Sequence, residues 1–131
     1  MTKTNIGRGI FALIAIFFIG NGLMVMLNPT SILDHMLLGS VESVSGLSSI
    51  RALLGAAIFA TWASVLLGAI KTNFSYILVG VINLSAVIFA RLVGYFVDGS
   101  FPEFVSMIVP PIIALVLMLF AHRLMTGSTD Q

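Results

Sequence analysis

The chain has 131 residues, of which 59% are hydrophobic and 8% are charged, and its net charge is +1. Soluble domains are about 45–50% apolar and about 25% charged, so this composition excludes an ordinary water-soluble fold and predicts an integral membrane protein. The chain contains no cysteine, which excludes disulfides, thiolate catalysis and cysteine-bound metals. We expect the lipid bilayer as its environment and no nucleic-acid partner.

Four long apolar segments predict membrane-spanning helices over residues 6–27, 47–70, 74–97 and 103–125. Each is long enough to cross ~30 Å of hydrocarbon at ~1.5 Å per residue. The first segment has no small-residue cleavage site, so we interpret it as a retained helix rather than a signal peptide. The segments account for almost all of residues 1–131. They predict one all-α domain, a four-helix transmembrane bundle that runs up-down-up-down.

A short amphipathic helix, residues 31–38, is predicted on the membrane surface between the first two spans. Ser31 follows a turn at Asn28-Pro29 and has Asp34 three residues later, as in a capping box. The apolar residues at helical spacing are Ile32, Leu33, Met36 and Leu37. Residues 40–49 are rich in serine and glycine and are predicted to form a loop.

The second span carries small residues at every fourth position. These are Ser48, Ala52, Ala56, Ala60, Ser64 and Gly68. In lipid, such a stripe lets two helix backbones approach closely, which is a main source of packing energy. We favour packing inside the bundle, because only Lys71-Thr72-Asn73 separates this span from the third. The alternative is the interface of a homo-oligomer.

Charged residues are segregated between the two ends of the predicted bundle. The basic end carries Lys3, Arg8, Lys71 and Arg123, and the acidic end carries Asp34, Glu42, Asp98 and Glu103. Basic residues flanking membrane spans favour the cytoplasmic side. The pattern therefore predicts that both termini are cytoplasmic and that the acidic end faces outward.

Arg51 and Arg91 each lie twenty positions from Lys71, which predicts that they are level with one another in the outer half of adjacent helices. Two guanidinium groups so placed repel each other unless an anion lies between them. We favour ion pairing within the protein, because a buried charge must be paired whether or not it has a task. The candidate partners are Asp34, Glu42, Asp98 and Glu103.

A ligand-binding site is the alternative for these two arginines. Asn21, flanked by two glycines, lies in the same outer half. Asn21, Arg51 and Arg91 are therefore candidate ligand-binding residues for a lipid phosphate, a carboxylate or a quinone carbonyl. No nucleophile–base pair and no three-ligand metal set can be placed on one face. We predict no catalytic residue, no metal site and no cofactor.

Three stretches of sequence resemble those of a known protein family. They are Arg51-Ala52-Leu53-Leu54-Gly55-Ala56, Arg91 with the later Asp98-Gly99-Ser100-Phe101-Pro102, and Asn28-Pro29. Together they resemble a family of small bacterial four-helix inner-membrane proteins of unknown function, related to the DoxX-like group. The resemblance implies a multi-pass protein of the bacterial inner (plasma) membrane, and no established activity comes with it.

Two functional hypotheses follow. The first is a non-enzymatic accessory or structural subunit that packs against itself or a larger membrane complex, because almost no part of the chain extends beyond the membrane. The second is a binding or transport module for an anionic lipid or quinone-like ligand, in an outward-facing pocket lined by Asn21, Arg51 and Arg91. An enzyme is the weakest hypothesis.

The predicted orientation is tested with single cysteines introduced at positions 42 and 72 of this cysteine-free chain. In intact cells, an impermeant thiol reagent should label position 42 and spare position 72. The reverse pattern would show that the acidic end faces the cytoplasm.

Overall fold

The structure is a computed structural model that describes residues 2–36 and 38–127, and this part of the chain is helical without strands. Four of its helices are long and apolar enough to cross a membrane. In chain order the helices are α1 (Lys3–Leu27), α2 (Pro29–Leu33), α3 (Val44–Lys71), α4 (Phe74–Val97) and α5 (Phe104–Thr126). The predicted all-α four-helix architecture is confirmed.

Local capping explains where the long helices begin. Thr2 accepts a hydrogen bond from the backbone N–H of Asn5 at the start of α1, and Ser43 accepts one from Gly46 at the start of α3. Both side chains satisfy a donor that has no partner within the first helical turn. Asn73 does the same at the start of α4, where it accepts from the N–H of Ser75.

The turn between α3 and α4 is tight. Thr72 has a left-handed backbone with φ of 54°, and the N–H of Asn73 donates to the carbonyl of Gly68 at 2.9 Å. This hydrogen bond and the left-handed residue close the last turn of α3 and reverse the chain within three residues. Helices α3 and α4 are therefore antiparallel neighbours.

The four long helices form a closed ring in which α1 packs against α3 and α5, and α4 packs against the same two helices. Gly7 near the start of α1 lies against Ala121 near the end of α5. At the acidic end, the ring centroids of Tyr95 on α4 and Phe104 on α5 are 4.4 Å apart. At these contacts α5 runs in the opposite direction to α1 and to α4.

Two helices, α2 and α3, differ most from the sequence prediction. Helix α3 begins at Val44, so residues 44–49 of the predicted loop are helical. Serine is a weak helix former but a strong N-cap, and the cap at Ser43 starts the helix early. Helix α2 spans Pro29–Leu33 instead of residues 31–38, because Asn28 is the N-cap and proline occupies the first helical position. Leu37 lies outside the described residues.

The packed core lies in the half of the bundle nearer the basic end. It comprises Phe11, Ala15, Trp62, Val65, Ala69, Ile77, Leu84, Ala114, Met118 and Ala121. The indole of Trp62 stacks on Phe18 with ring centroids 4.2 Å apart. In α4 the buried residues end at Leu84, and each residue from 85 to 97 is partly or fully exposed. The acidic-end half of α4 is therefore much less enclosed by the bundle.

Two glycines set the distance between α1 and α3 in the acidic-end half. A Cβ atom on Gly22 would lie 2.7 Å from the backbone nitrogen of Phe59, and one on Gly55 would lie 3.0 Å from that of Met26. A Cβ atom at such distances forces the opposing backbone to move. The two helices thus cross in direct backbone contact, which only glycine permits.

The small-residue stripe of α3 is most fully packed inside the chain near the basic end. Gly68 is buried against Ile77, and the hydroxyl of Ser64 donates to the carbonyl of Tyr76 at 3.4 Å. Further along, Ala56 is partly buried, while Ala52 and Ala60 are exposed. The favoured interpretation, packing within the bundle, therefore applies to part of the stripe only.

Candidate functional site

Arg51 lies near the start of a π-helical segment, Ile50–Gly55, within α3. The N–H of Ala56 donates to the carbonyl of Arg51, five residues back, which widens the turn. Such turns are rare and often mark functional sites. Twenty residues of helix place Arg51 about 30 Å from Lys71, a distance close to the thickness of the hydrocarbon layer of a bilayer. Its side chain is exposed.

Arg91 lies on the inward-facing side of α4. It follows Leu84, which is 2% exposed, by seven residues, or nearly two helical turns, so the two side chains share a face. The helix continues beyond Arg91 to Val97. Arg91 is partly buried, at a level of the bundle where α4 has no fully buried residue.

The side chains of Arg51 and Arg91 make no hydrogen bond or ion pair within residues 2–36 and 38–127. The four acidic residues proposed as their partners are all exposed. Asp98 directs its carboxylate back over Gly94, 3.8 Å from where a Cβ atom would lie there. Asp34 ends α2, Glu42 precedes α3 and Glu103 precedes α5. The described part of the chain thus leaves both guanidinium groups without a carboxylate.

Asn21 is partly buried and uses its side chain locally. Its Nδ2 atom donates to the carbonyl of Phe17 in the preceding turn of α1, at 3.0 Å. The neighbouring glycines differ sharply: Gly22 is in backbone contact with α3, whereas a Cβ on Gly20 would meet nothing within 4 Å. Asn21 therefore sits at the edge of the α1–α3 contact.

The three predicted ligand-binding residues occupy the same half of the bundle but different helices. Outside α3 itself, the π-helical segment with Arg51 packs chiefly against α1. No hydrogen bond or ring contact joins Asn21, Arg51 and Arg91 in the described part of the chain. That Arg51 and Arg91 approach one another stays a prediction.

Sequence reasoning missed a third arginine. Arg8 on α1 donates from Nε to the carbonyl of Ala69 at 2.8 Å and from Nη2 to that of Ile70 at 3.0 Å. These are among the last carbonyls of α3, which have no partner inside their own helix and carry its negative dipole end. From the sequence alone, Arg8 is only a marker of the cytoplasmic side. The sequence does place Arg8 near the start of the first span, and in an up-down bundle this position lies beside the end of the second span.

The described residues contain no group of three or more His, Asp or Glu side chains that could hold a metal ion. Comparison with protein-family models, with curated proteins and with solved structures gives no match to this chain. Functional argument therefore depends on the geometry of the three arginines, and the DoxX-like family assignment stays a prediction.

Arg91→Gln should leave the free energy of unfolding of the isolated protein within about 0.5 kcal/mol of wild type, because no described carboxylate loses a partner. Arg8→Gln is the contrast, and should lower it by about 1–2 kcal/mol by removing two hydrogen bonds to α3. Unfolding in mild detergent, followed by circular dichroism, measures both. A loss of about 3–5 kcal/mol for Arg91→Gln would instead indicate the buried ion pair predicted from the sequence.

Proposed function

We propose that this protein is a small, non-enzymatic accessory or structural subunit of a membrane assembly, and that it contacts its partner through the acidic-end halves of α3 and α4. The observation that carries this proposal is the exposed guanidinium of Arg51, which has no partner in the described part of the chain. About 30 Å from Lys71 along the helix, Arg51 lies at the edge of the hydrocarbon layer, where its guanidinium reaches the headgroups and stays open to an anion from a partner. A carboxylate on a neighbouring subunit supplies the missing anion.

Exposed small residues in the same region support this surface. Ala52 and Ala60 on α3 are exposed, as are Ala86 and Ala90 on α4. Because lipid gives little hydrophobic drive for helix association, contact between subunits depends on close backbone approach, and small residues permit it. The partner is either a larger membrane complex or a second copy of this chain.

A second candidate function is a binding or transport module for an anionic lipid or a quinone-like ligand. It is favoured by Arg91, which lies on the inward face of α4, nearer the acidic end than Leu84, the last buried residue of that helix. The side chain of Arg91 has no described partner. A ligand entering from the acidic end would meet this guanidinium before the packed core. In this case Asn21 and Arg51 line the entrance to the site, and the bound anion, instead of a protein carboxylate, is the partner of Arg91.

Placement in the bacterial inner membrane with cytoplasmic termini belongs to the same proposal. It is supported by the segregation of Lys3, Arg8, Lys71 and Arg123 from the acidic residues. The DoxX-like resemblance is consistent with a small protein that has little chain outside the membrane. Both candidate functions place the binding surface in the outer half of the bundle.

The subunit proposal is tested by affinity purification of the full chain from its native membrane in mild detergent. Arg51→Gln and Ala60→Leu should each lower the amount of recovered partner, or of dimer, by about threefold or more, which corresponds to roughly 0.6–2 kcal/mol of contact energy. Gly20→Leu is the control, because Gly20 is exposed on α1, outside the proposed surface, and a Cβ atom there meets nothing within 4 Å. Arg123→Gln controls for loss of charge at the other end.

Unchanged recovery in both test variants, or an equal loss in Gly20→Leu, would contradict the proposed surface. A monomer that retains lipid or quinone through purification, and loses it in Arg91→Gln, would replace the subunit proposal with the binding module. Native mass spectrometry of the same preparations reports stoichiometry and retained ligand together.

A further inference from the structure

A groove runs between the start of α1 and the end of α3 at the basic end of the bundle. Its volume is about 350 Å³, and it is lined by Asn5, Arg8, Gly9, Ala12, Ala69 and Ile70. Three of these residues are glycine or alanine, so few side-chain atoms project into the groove. A Cβ atom on Gly9 would meet nothing within 4 Å, so the groove is open beside it.

Arg8 presents an oriented guanidinium to this groove. A guanidinium has five N–H donors, and the carbonyls of Ala69 and Ile70 occupy two of them along the edge formed by Nε and Nη2. The remaining edge, formed by Nη1 and Nη2, has no partner among the described residues. An arginine edge held in this way is suited to bind two oxygens of a phosphate at once.

The surrounding charge favours an anion. Among the described residues all four carboxylates lie at the acidic end, whereas Lys71 directly follows Ile70, which lines the groove. Asn5 lies one helical turn before Arg8 and adds an exposed amide. The groove therefore combines a fixed cation, a further positive charge and a neutral hydrogen-bonding group at the level of one leaflet's headgroups.

We propose that this groove binds an anionic phospholipid from the leaflet at the basic end. The headgroup phosphate accepts hydrogen bonds from the free edge of Arg8, and the upper part of one acyl chain lies over Gly9 and Ala12. Leu13, which is 72% exposed on the next turn of α1, continues the apolar path toward the membrane interior. This site is separate from the assembly surface at the acidic end, and either can exist without the other.

The test is native mass spectrometry of the full-length protein in mild detergent, with phosphatidylglycerol or phosphatidylcholine added at equal concentration. Wild type should retain phosphatidylglycerol at least about fivefold better, because only the anionic lipid combines the phosphate contact with net charge complementarity. Arg8→Gln should bring this ratio close to one. Arg8→Gln also removes two hydrogen bonds between α1 and α3. Gly9→Leu therefore provides a second variant, which fills the groove while Arg8 remains.

Gly20→Leu is the matched control for Gly9→Leu. Both glycines are exposed on α1 with nothing within 4 Å of a Cβ atom, and their separation of eleven residues places them on the same face of the helix. Selective retention that is lost in Gly9→Leu and kept in Gly20→Leu supports the site. An unchanged ratio in both Arg8→Gln and Gly9→Leu overturns it, as does an equal loss in Gly20→Leu. Displacement of the lipid by excess inorganic phosphate would assign the groove to a free anion instead.

Discussion

Direct backbone contact between α1 and α3 is the interaction on which the rest of this structure depends. Lipid is as apolar as the helices it surrounds, so burial of apolar side chains gives little net drive for packing and close van der Waals contact must supply it. Gly22 and Gly55 let the two backbones meet, and Gly7 does the same for α1 and α5. Helix α1 thereby joins α3 and α5, and α4 completes the ring between them.

This arrangement divides the bundle into two unequal halves. Near the basic end all four helices contribute to the buried core, and Arg8 closes the last turn of α3. Near the acidic end the α1–α3 contact persists, but α4 buries no residue beyond Leu84. Arg51 and Arg91 lie in this more open half, where the described chain offers them no carboxylate. The proposed binding functions follow from this combination of open packing and unpartnered cations.

The sequence predicted the features that depend on composition and chain length. Four spans, their all-α character and the tight turn at Lys71-Thr72-Asn73 all follow from apolar runs bounded by charges and turn residues. The charge segregation also placed Arg8 and Lys71 at one end, and Arg8 contacts the two residues that precede Lys71. These predictions needed no knowledge of which helix faces meet.

Features that depend on helix rotation could not be predicted in this way. Gly20 and Gly22 flank Asn21 and look equivalent in sequence, yet only Gly22 faces α3. The fourfold spacing of small residues on α3 did not show which of them meet a neighbouring helix: Gly68 is buried, whereas Ala52 and Ala60 are exposed. The π-helical turn at Ile50–Gly55 and the early cap at Ser43 likewise arise from local hydrogen bonding that no periodicity reveals.

The stability of Gly22→Ala compared with Gly20→Ala tests the central role of the α1–α3 contact most directly. Alanine at either position gains about 1 kcal/mol of helix propensity, so the two variants differ mainly in what the new methyl group meets. At Gly22 it meets the backbone of Phe59 at 2.7 Å and at Gly20 nothing within 4 Å. We expect Gly22→Ala to unfold more easily than wild type by about 1–3 kcal/mol in mild detergent, and Gly20→Ala to be at least as stable as wild type. Equal stability of the two variants would contradict the account.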